Sequence, residues 1–584
     1  MTAQQIGKVL IKVFLVSALA ATFLLPAAQA QVPLDPTTIP HFTDRLPLPT
    51  PMLKAPSTFS GDYYEIAERQ KTQQILPAQG FHSTTIWAYG PKAKPATSDE
   101  YSYPAHPIVA NVGTAVRVKW INDLTISPGN FIPHPLPIKQ DEHWANPYGL
   151  CEGRMTPPDC AGSPKGQYYG PVPTVVHLHG ALTESTSDGI PEAWYLPAGG
   201  GAVATFPRGS DWGQAPGVPL EDGAATFDYP NNPQQEVARL LFFHDHTLGI
   251  TAQNIYMGLV GGYLLKGGAH DLAPGQVPAG LNVYDLPLVI QDKSFYADGS
   301  FQFTSEGNTI VVNGKTWPYL NVEPRKYRLR IVSGTDERYL LLGFDNGLKF
   351  TQIGNDGGFL PNPIRLSELT LTSGERADVI VDFSGLAGHN VVLRTDNVDV
   401  MQFRVVVPLN VNVPDTPNPN TLTLPYVHPI CSVVNGVETS CETFTRRVSA
   451  FDHTLGTVTG SGATAKGTSM SWDAPTTETP AVNTTEVWEI YNFSGDSHPI
   501  HLHAVTYEVI DRINIANGTH KKPSLGEGGY KDTTLANGHE ILRIRVHFGI
   551  GGLFAWHCHI IEHEDEQMMR PLCIVDPNKP CHDH

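Results

Sequence analysis

The sequence predicts an all-β protein made of several sandwich-like domains. Apolar and polar residues alternate over short stretches such as 116–120, 327–331 and 541–546, which is the pattern of half-buried strands. Helical periodicity is scarce, and 54 glycines and 50 prolines interrupt the chain. Short strands with frequent turns are typical of antiparallel sandwiches and barrels. Asn313-Gly314, between apolar runs, predicts a two-residue hairpin turn.

The size and charge of the chain limit the classes of protein to which it can belong. A chain of 584 residues is too long for one core and suits two to four domains. Hydrophobic residues make up 41% and charged residues 16%, as in folded globular proteins. The net charge of −18 argues against a nucleic-acid or anionic-membrane partner, because an acidic surface repels phosphate.

A weak threefold repeat predicts the domain organisation. Strands at 116–123, 327–334 and 487–494 are each followed by a second strand, at 235–243, 374–383 and 538–548. We therefore predict three similar β-domains, at residues 31–270, 271–407 and 446–584. Six prolines between Pro408 and Pro429 predict a linker over residues 408–445. The Gly-, Ser- and Thr-rich stretch 456–471 is expected to be a mobile loop.

The first thirty residues predict a secretory signal peptide. Lys8 and Lys12 precede an apolar run from Val13 to Leu25, and Ala28-Gln29-Ala30 resembles a cleavage site. A membrane anchor is the alternative, although the run is short for a bilayer span. We expect a mature protein that begins near Gln31, has no membrane span and is secreted or periplasmic.

Seven cysteines fit an exported protein. Three near pairs could each close a small loop as a disulfide: Cys151/Cys160, Cys431/Cys441 and Cys573/Cys581. Six cysteines allow fifteen pairings, so proximity is the basis of this prediction. Cys558 is left over and needs another explanation.

Four histidine clusters predict the chemistry. Ten of the 24 histidines fall in four short motifs: HLHG (His177, His179), HDH (His244, His246), HPIHLH (His498, His501, His503) and HCHIIEHEDEQMM (His557, His559, His563). Imidazole is a good ligand for copper and zinc. The other fourteen histidines, such as His41, His134 and His547, are interpreted as ordinary core or surface residues.

Strand geometry divides these residues between two metal sites. Side chains alternate between faces, so the two histidines of each H-x-H motif share a face. One site thereby collects eight histidines, too many for a single zinc ion: His177, His179, His244, His246, His501, His503, His557 and His559. On the opposite side lie His498, Cys558, His563 and Met568, and two histidines, a thiolate and a methionine form a blue-copper arrangement.

All four motifs, in order, resemble multicopper oxidases. HCHxxxHxxxxM with three upstream H-x-H motifs is a specific signature, and the resemblance covers nearly the whole mature chain. Stretches such as TESTSDGIPEAWY, NGKTWPYLNVEPRKYRLRIV and EHEDEQMMRPL are similar to the branch with bacterial spore-coat laccase and bilirubin oxidase. The resemblance implies three cupredoxin-like, Greek-key β-sandwich domains.

The resemblance also implies the ligands of four copper ions. His498, Cys558, His563 and Met568 would hold a type 1 copper. His177 and His501 would hold a type 2 copper. The type 3 pair would take the remaining six: His179, His244, His246, His503, His557 and His559. The trinuclear cluster would lie between the first and third domains.

Two acids and several departures follow from the same comparison. Glu564 and Asp188 match family positions near the trinuclear site, and a buried acid there could relay protons; structural hydrogen bonding is the alternative role. Together with Cys558 and His563 they are the predicted catalytic residues.

The stretches 130–170 and 199–232 look longer than is usual in the family. Glu566 and Gln567 differ from the typical residues of the last motif.

The predicted function is that of a laccase-like multicopper oxidase. A phenol, aromatic amine or tetrapyrrole would lose single electrons near His563, and dioxygen would be reduced to water after four of them. The expected partners are a small reducing substrate and dioxygen, and the chain is expected to be a monomer. An oxidase of Mn(II) or Cu(I) is the rival enzyme, favoured by Glu562, Glu564, Asp565 and Glu566. Two alternative functions are not enzymatic: that of a non-catalytic structural protein and that of a copper carrier.

Overall fold

The chain folds almost entirely into β-strands. The structure is a computed structural model that describes residues 31–127, 129–140, 142–149, 167–206, 208–209, 213–427, 432–434, 437–439, 444–579 and 581. Its strands form three pairs of sheets, one pair after another along the chain. The all-β prediction is confirmed. The predicted boundaries between the domains stay a prediction.

The first pair of sheets brings strands from the first half of the chain into orders β2-β1-β4-β8 and β3-β10-β9-β7. Two further short strands, β5 and β6, pair with each other. The strands are β1 Asp62–Gln73, β2 Thr84–Pro91, β3 Ala105–Asn111, β4 Val116–Asn122, β5 Thr125–Ser127, β6 Asn130–Phe131, β7 Val176–His179, β8 Ala224–Tyr229, β9 Arg239–Asp245 and β10 Val260–Lys266. Helix α1 spans Thr251–Met257, between β9 and β10.

The second pair of sheets has orders β14-β13-β11-β16-β21-β18-β19, with β12 beside β11, and β15-β23-β22-β17-β20. The strands are β11 Asp285–Phe295, β12 Phe301–Gln302, β13 Thr309–Val312, β14 Lys315–Thr316, β15 Tyr319–Asn321, β16 Lys326–Ser333, β17 Leu340–Phe344, β18 Phe350–Asn355, β19 Gly358–Leu366, β20 Glu368–Leu371, β21 Arg376–Asp382, β22 Asn390–Thr395 and β23 Val398–Arg404.

The third pair has orders β28-β27-β26-β29-β35-β31-β32, with β33 beside β31, and β34-β30-β36-β37; β24 and β25 pair separately before it. The strands are β24 Ser432–Val434, β25 Val437–Thr439, β26 Phe444–Ala450, β27 Leu455–Thr459, β28 Lys466–Met470, β29 Thr484–Asn492, β30 His498–Leu502, β31 Tyr507–Asn514, β32 His520–Lys521, β33 Tyr530–Lys531, β34 Thr533–Ala536, β35 Glu540–Phe548, β36 Gly552–Cys558 and β37 Met569–Ile574. Helix α2 spans Ile561–Asp565.

The threefold repeat is real, but one of its predicted members is wrong. In the second and third units the predicted strands pair as β16–β21 and β29–β35. In the first unit β4 pairs with β8, whereas β9, the strand that the predicted repeat includes, belongs to the other sheet. Every residue of β9 is buried. Its continuous apolar run therefore marks a strand covered on both faces, not the half-buried strand of the repeat.

The turn prediction is confirmed and the mobile-loop prediction is wrong. Asn313 and Gly314 join β13 to β14 with φ values of 48° and 79°, as a tight hairpin turn requires. The stretch 456–471 forms most of the β27–β28 hairpin. A Cβ atom at Gly456 would lie 1.9 Å from the Thr468 carbonyl oxygen, so this glycine permits the close pairing of the two strands.

One predicted disulfide is present. Cys573 and Cys581 are bonded, and Cys558 is a free, buried cysteine. The predicted pairs Cys151/Cys160 and Cys431/Cys441, like the signal peptide, lie outside the described residues. Across the part of the chain that is described, no helix is long and apolar enough to cross a membrane.

A buried charge network joins the second and third units behind the histidine clusters. Arg376, at the start of β21, donates from Nη1 to Asp532 Oδ1 at 2.6 Å, and its side chain is 1% exposed. Lys531 lies 2.8 Å from Asp356 Oδ2 and 2.9 Å from Glu375 Oε1. Because these charges are desolvated, each depends on its partner, and loss of one partner leaves the other buried alone.

The variant Arg376→Met should destabilise the junction strongly. It leaves the Asp532 carboxylate without its main counter-charge, which costs about 3–5 kcal/mol. The matched control is Arg447→Met, since Arg447 pairs with Glu489 at 2.8 Å but is 36% exposed, and such surface pairs contribute about 0–1 kcal/mol. Thermal unfolding of both variants measures the difference; equal melting temperatures would contradict the role given to Arg376.

Candidate metal centres

Two pairs of neighbouring strands bring the histidine clusters together. In the first unit β7 lies beside β9, with His177 opposite His244. In the third unit β30 lies beside β36, with His501 opposite His557. His246, His503 and His559 come directly after the ends of their strands. The two units face each other, so that the rings of His177 and His503 stack with centroids 3.8 Å apart.

The eight histidines of the larger centre form three groups, two of which share His503. In each group the ring nitrogens lie within 4.8 Å of one another: His177, His501 and His503; His179, His244 and His559; and His246, His503 and His557. The first group holds both predicted type 2 ligands, His177 and His501. The other two groups divide the six predicted type 3 ligands into two triples, a division that the sequence does not give.

Hydrogen bonds on the outer side of the rings fix their orientation. The Nδ1 atoms of His177, His244 and His501 lie 2.6–2.8 Å from the backbone carbonyl oxygens of Asp188, Asp245 and Asp532. A ring that donates from Nδ1 to a carbonyl keeps a lone pair on Nε2, which points to the other side. Metal-ligating histidines are commonly oriented in this way.

The inward-facing nitrogens support metal binding. Nε2 of His177, His244 and His501 is buried and has no hydrogen-bond partner among the described residues. A buried polar atom without a partner costs free energy and calls for an explanation. A metal ion bound by lone pairs on these nitrogens provides one, so the residues fit the copper ions that the resemblance implies.

The protonation state of the rings also fits this role. Burial lowers the pKa of His177, His179, His501, His503 and His559 well below the usual range of histidine, and neighbouring imidazoles add to the shift. Burial lowers the pKa of His244 to about 3. The rings are therefore neutral at pH 7, and the neutral imidazole is the form that binds metals.

The smaller centre lies on the opposite side of β36. Ring nitrogens of His498 and His563 and the sulfur of Cys558 lie within 4.8 Å of one another. Ser494 Oγ lies 3.0 Å from Nε2 of His498, which leaves Nδ1 facing Cys558 Sγ at 3.7 Å. Met568 is fully buried, and its carbonyl oxygen accepts a hydrogen bond from the Cys558 N–H. These four residues are the predicted type 1 set.

Cys558 links the two centres through the backbone. Its chain neighbours, His557 and His559, belong to the two different triples of the larger centre. Strand alternation directs the Cys558 side chain to one face and both histidines to the other. A covalent path of a few bonds therefore joins the smaller centre to both triples.

The carboxylates of the two predicted acids, Asp188 and Glu564, contact the histidines of one of these triples. Asp188 Oδ2 lies 2.7 Å from His503 Nδ1. The Glu564 carboxylate oxygens lie 3.0 Å from His246 Nδ1 and 3.0 Å from His557 Nδ1. The three rings of the triple His246, His503 and His557 are thus each faced by a carboxylate. Both acids are almost fully buried.

Sequence reasoning missed Asp532, Ser373 and Thr533. Asp532 Oδ1 lies 3.1 Å from His179 Nε2, and Thr533 Oγ1 lies 3.0 Å from the same atom. Ser373, from the second unit, lies 3.0 Å from His559 Nδ1. None of these residues stands within a histidine motif, and no spacing rule connects them to one. Asp532 and Thr533 come to the site because β34 pairs with β30, and Ser373 comes from the turn before β21.

Comparisons with known proteins agree with this geometry. Two family models, both described as multicopper oxidase, match residues 288–405 and 445–578. A laccase of Bacillus subtilis is 33% identical over an alignment that covers 93% of this chain and 100% of the laccase. Multicopper oxidase LPR1 of Arabidopsis thaliana is 30% identical, over 86% of this chain and 87% of that protein.

Solved structures share the fold. A multicopper oxidase of Pediococcus acidilactici superimposes with a TM-score of 0.67 at 24% identity, covering 92% of this chain and 93% of that one. A multicopper oxidase of Campylobacter jejuni, described as a metallo-oxidase, gives 0.63 at 18% identity over 94% and 98%. The full-length identity to the Bacillus laccase, more than these structural likenesses, decides the family. This chain is an oxidoreductase that belongs to the multicopper oxidase family.

Proposed function

We propose that the chain is a laccase-like oxidase that holds four copper ions, one in the smaller centre and three in the larger. It would oxidise phenols, aromatic amines or tetrapyrroles one electron at a time and reduce dioxygen to water. The observation that carries this proposal is the position of Cys558 between His557 and His559, since it joins a mononuclear ligand set to a polynuclear one. Bound copper would supply the one-electron redox chemistry and the reduction of dioxygen.

The residues around His563 would receive the donor. His498, Cys558 and Met568 are buried, while the His563 side chain is 12% exposed. The Nε2 atom of His563 lies 3.9 Å from Oε1 of Glu337. A donor from solvent would therefore meet the smaller centre at this ring.

Asp188 would hold a proton beside the larger centre. Burial raises the pKa of its carboxyl well above the usual range, which favours the protonated form. Asp188 Oδ2 is within hydrogen-bond distance of His503 Nδ1, and a proton can shift between these two atoms. Burial also acts to raise the pKa of Glu564, but His557 and His246 outweigh it and the pKa falls well below the usual range. Glu564 would thus orient the two rings as an anion.

Oxidation of a metal ion is the second candidate function. Glu337 is 41% exposed, and its Oε1 atom lies 3.9 Å from Nε2 of His563. Glu562 and Asp336 lie nearby, and Asp336 accepts hydrogen bonds from the Ile561 and Glu562 N–H groups. An acidic rim would attract Mn(II) or Cu(I), and the Campylobacter jejuni structural relative is described as a metallo-oxidase.

The variant Cys558→Ser tests the proposed function. The copper-loaded wild type should consume one dioxygen per four electrons taken from 2,6-dimethoxyphenol. Cys558→Ser should lose the blue absorption band, about one copper of four and all oxygen uptake, because the thiolate is both ligand and link. Oxygen electrode, absorption spectrum and copper analysis give these three readouts.

A matched control is Ser494→Ala, which removes a hydrogen bond to His498 without removing a ligand. It should keep the blue band and four coppers. If the wild type shows a full copper load and a blue band but no uptake with the phenol, the laccase hypothesis fails. The same assay with Mn(II) or Cu(I) then tests the second candidate.

The variant Asp188→Asn should slow turnover without loss of copper. Removal of a group that hydrogen-bonds a metal ligand typically costs about 10–100-fold in metal affinity or activity. We expect kcat to fall, while copper analysis still finds four coppers per chain. Asp228→Asn is the control, since Asp228 pairs with Arg117 and its side chain is 30% exposed. An unchanged kcat in Asp188→Asn would contradict the proton-holding role.

A further inference from the structure

A second histidine covers the accessible ring of the smaller centre. His453 lies in the turn between β26 and β27, and its ring stacks on His563 with centroids 4.4 Å apart and planes inclined by 26°. The His453 side chain is 50% exposed, whereas that of His563 is 12% exposed. A surface histidine thus covers one face of His563, the ring of the smaller centre that is partly exposed.

Glu566 and Lys139 form a clasp that holds His453 in this position. Its Nδ1 atom hydrogen-bonds to Glu566 Oε2, and the other oxygen, Glu566 Oε1, binds Lys139 Nζ. Lys139 comes from the long loop of the first unit, between β6 and β7. Gln567, directly after Glu566, has a φ of 101°, a strained value for a residue with a side chain. Contacts on both sides must hold such a backbone in place.

The clasp explains the departure of Glu566 from the typical motif. Its carboxylate joins a turn of the third unit to a loop of the first, directly beside His563. His453 stacks on a face of the His563 ring and not on its Nε2 edge, where Glu337 Oε1 lies 3.9 Å away. A small ion or an outer-sphere donor can approach this edge. A planar molecule that needs to stack on the ring meets His453 instead.

We propose that His453, held by Glu566 and Lys139, is a gate that restricts planar aromatic donors from stacking on His563 and so sets donor selectivity. The inference rests on the proposed function, because it concerns the donors of that reaction. A planar donor binds the ring only in the fraction of molecules in which His453 has swung away. Its apparent affinity is reduced by that fraction. Donors that transfer an electron without stacking are not affected.

Kinetics of His453→Ala test the gate. The specificity constant kcat/KM for 2,6-dimethoxyphenol should rise about ten-fold, mainly through a lower KM, which corresponds to about 1.4 kcal/mol. The constant for hexacyanoferrate(II), an octahedral outer-sphere donor, should stay within about two-fold, and the blue band should not move. Lys139→Met loosens the clasp from the other side and should change the phenol constant in the same direction, by about three-fold.

The matched control is His520→Ala. His520 is also an exposed histidine paired with an acid, 59% exposed and 2.9 Å from Asp511. It lies on β32, at the end of the sheet that does not contain β30 and β36. This variant should behave as the wild type with both donors. An unchanged or lower kcat/KM for the phenol in His453→Ala would overturn the gate.

A binding measurement without turnover separates the gate from the proposed function. 1,3-Dimethoxybenzene has the shape of the phenol but no hydroxyl group, and its Kd can be measured by saturation-transfer NMR on the copper-loaded chain, kept reduced and free of dioxygen so that all copper is diamagnetic Cu(I). The Kd should be about ten-fold lower in His453→Ala than in the wild type and unchanged in His520→Ala. Equal values in all three proteins would overturn the gate even if the enzyme oxidises phenols. A lower Kd in His453→Ala supports the gate even if the wild type oxidises none.

Discussion

The burial of neutral imidazoles with their lone pairs facing one another is the constraint on which the structure depends. Desolvation keeps the rings uncharged, and the outer nitrogens of His177, His244 and His501 are taken up by backbone carbonyls. The inner nitrogens are left without a partner in the described part of the chain. Burial of these unpaired nitrogens costs free energy until a metal ion binds them. Metal binding therefore stabilises the fold.

The short helix α2 and the residue after it tie the three units to both centres. Asp336 of the second unit accepts hydrogen bonds from the backbone at the start of α2. Asp565 accepts from the N–H groups of Thr251 and Ala252, in α1 of the first unit. Glu564 contacts two histidines of the larger centre, and Glu566 joins the clasp over the smaller one. A segment of six residues thereby couples the site to each unit.

Local patterns predicted much of this arrangement. The period of two along a strand is a property of the backbone, so the sequence alone placed Cys558 on the opposite face from His557 and His559. The division of six histidines into two triples could not be predicted, because it depends on which distant strands face each other. The same holds for Asp532, which reaches His179 across a unit boundary, and for His453, which reaches His563 from a distant turn of the same unit. The repeat wrongly included β9 in place of β8, because β9 lacks alternation and its sequence does not indicate the sheet to which it belongs.

A crystal of the copper-loaded chain, with anomalous diffraction recorded on both sides of the copper absorption edge, tests the central claim most directly. The account predicts four copper peaks. One lies among His498, Cys558 and His563, and three lie among the eight histidines of the larger centre, against the nitrogens that have no other partner. A single peak in the larger centre, or imidazole nitrogens that bind one another or water with no metal between them, would contradict it.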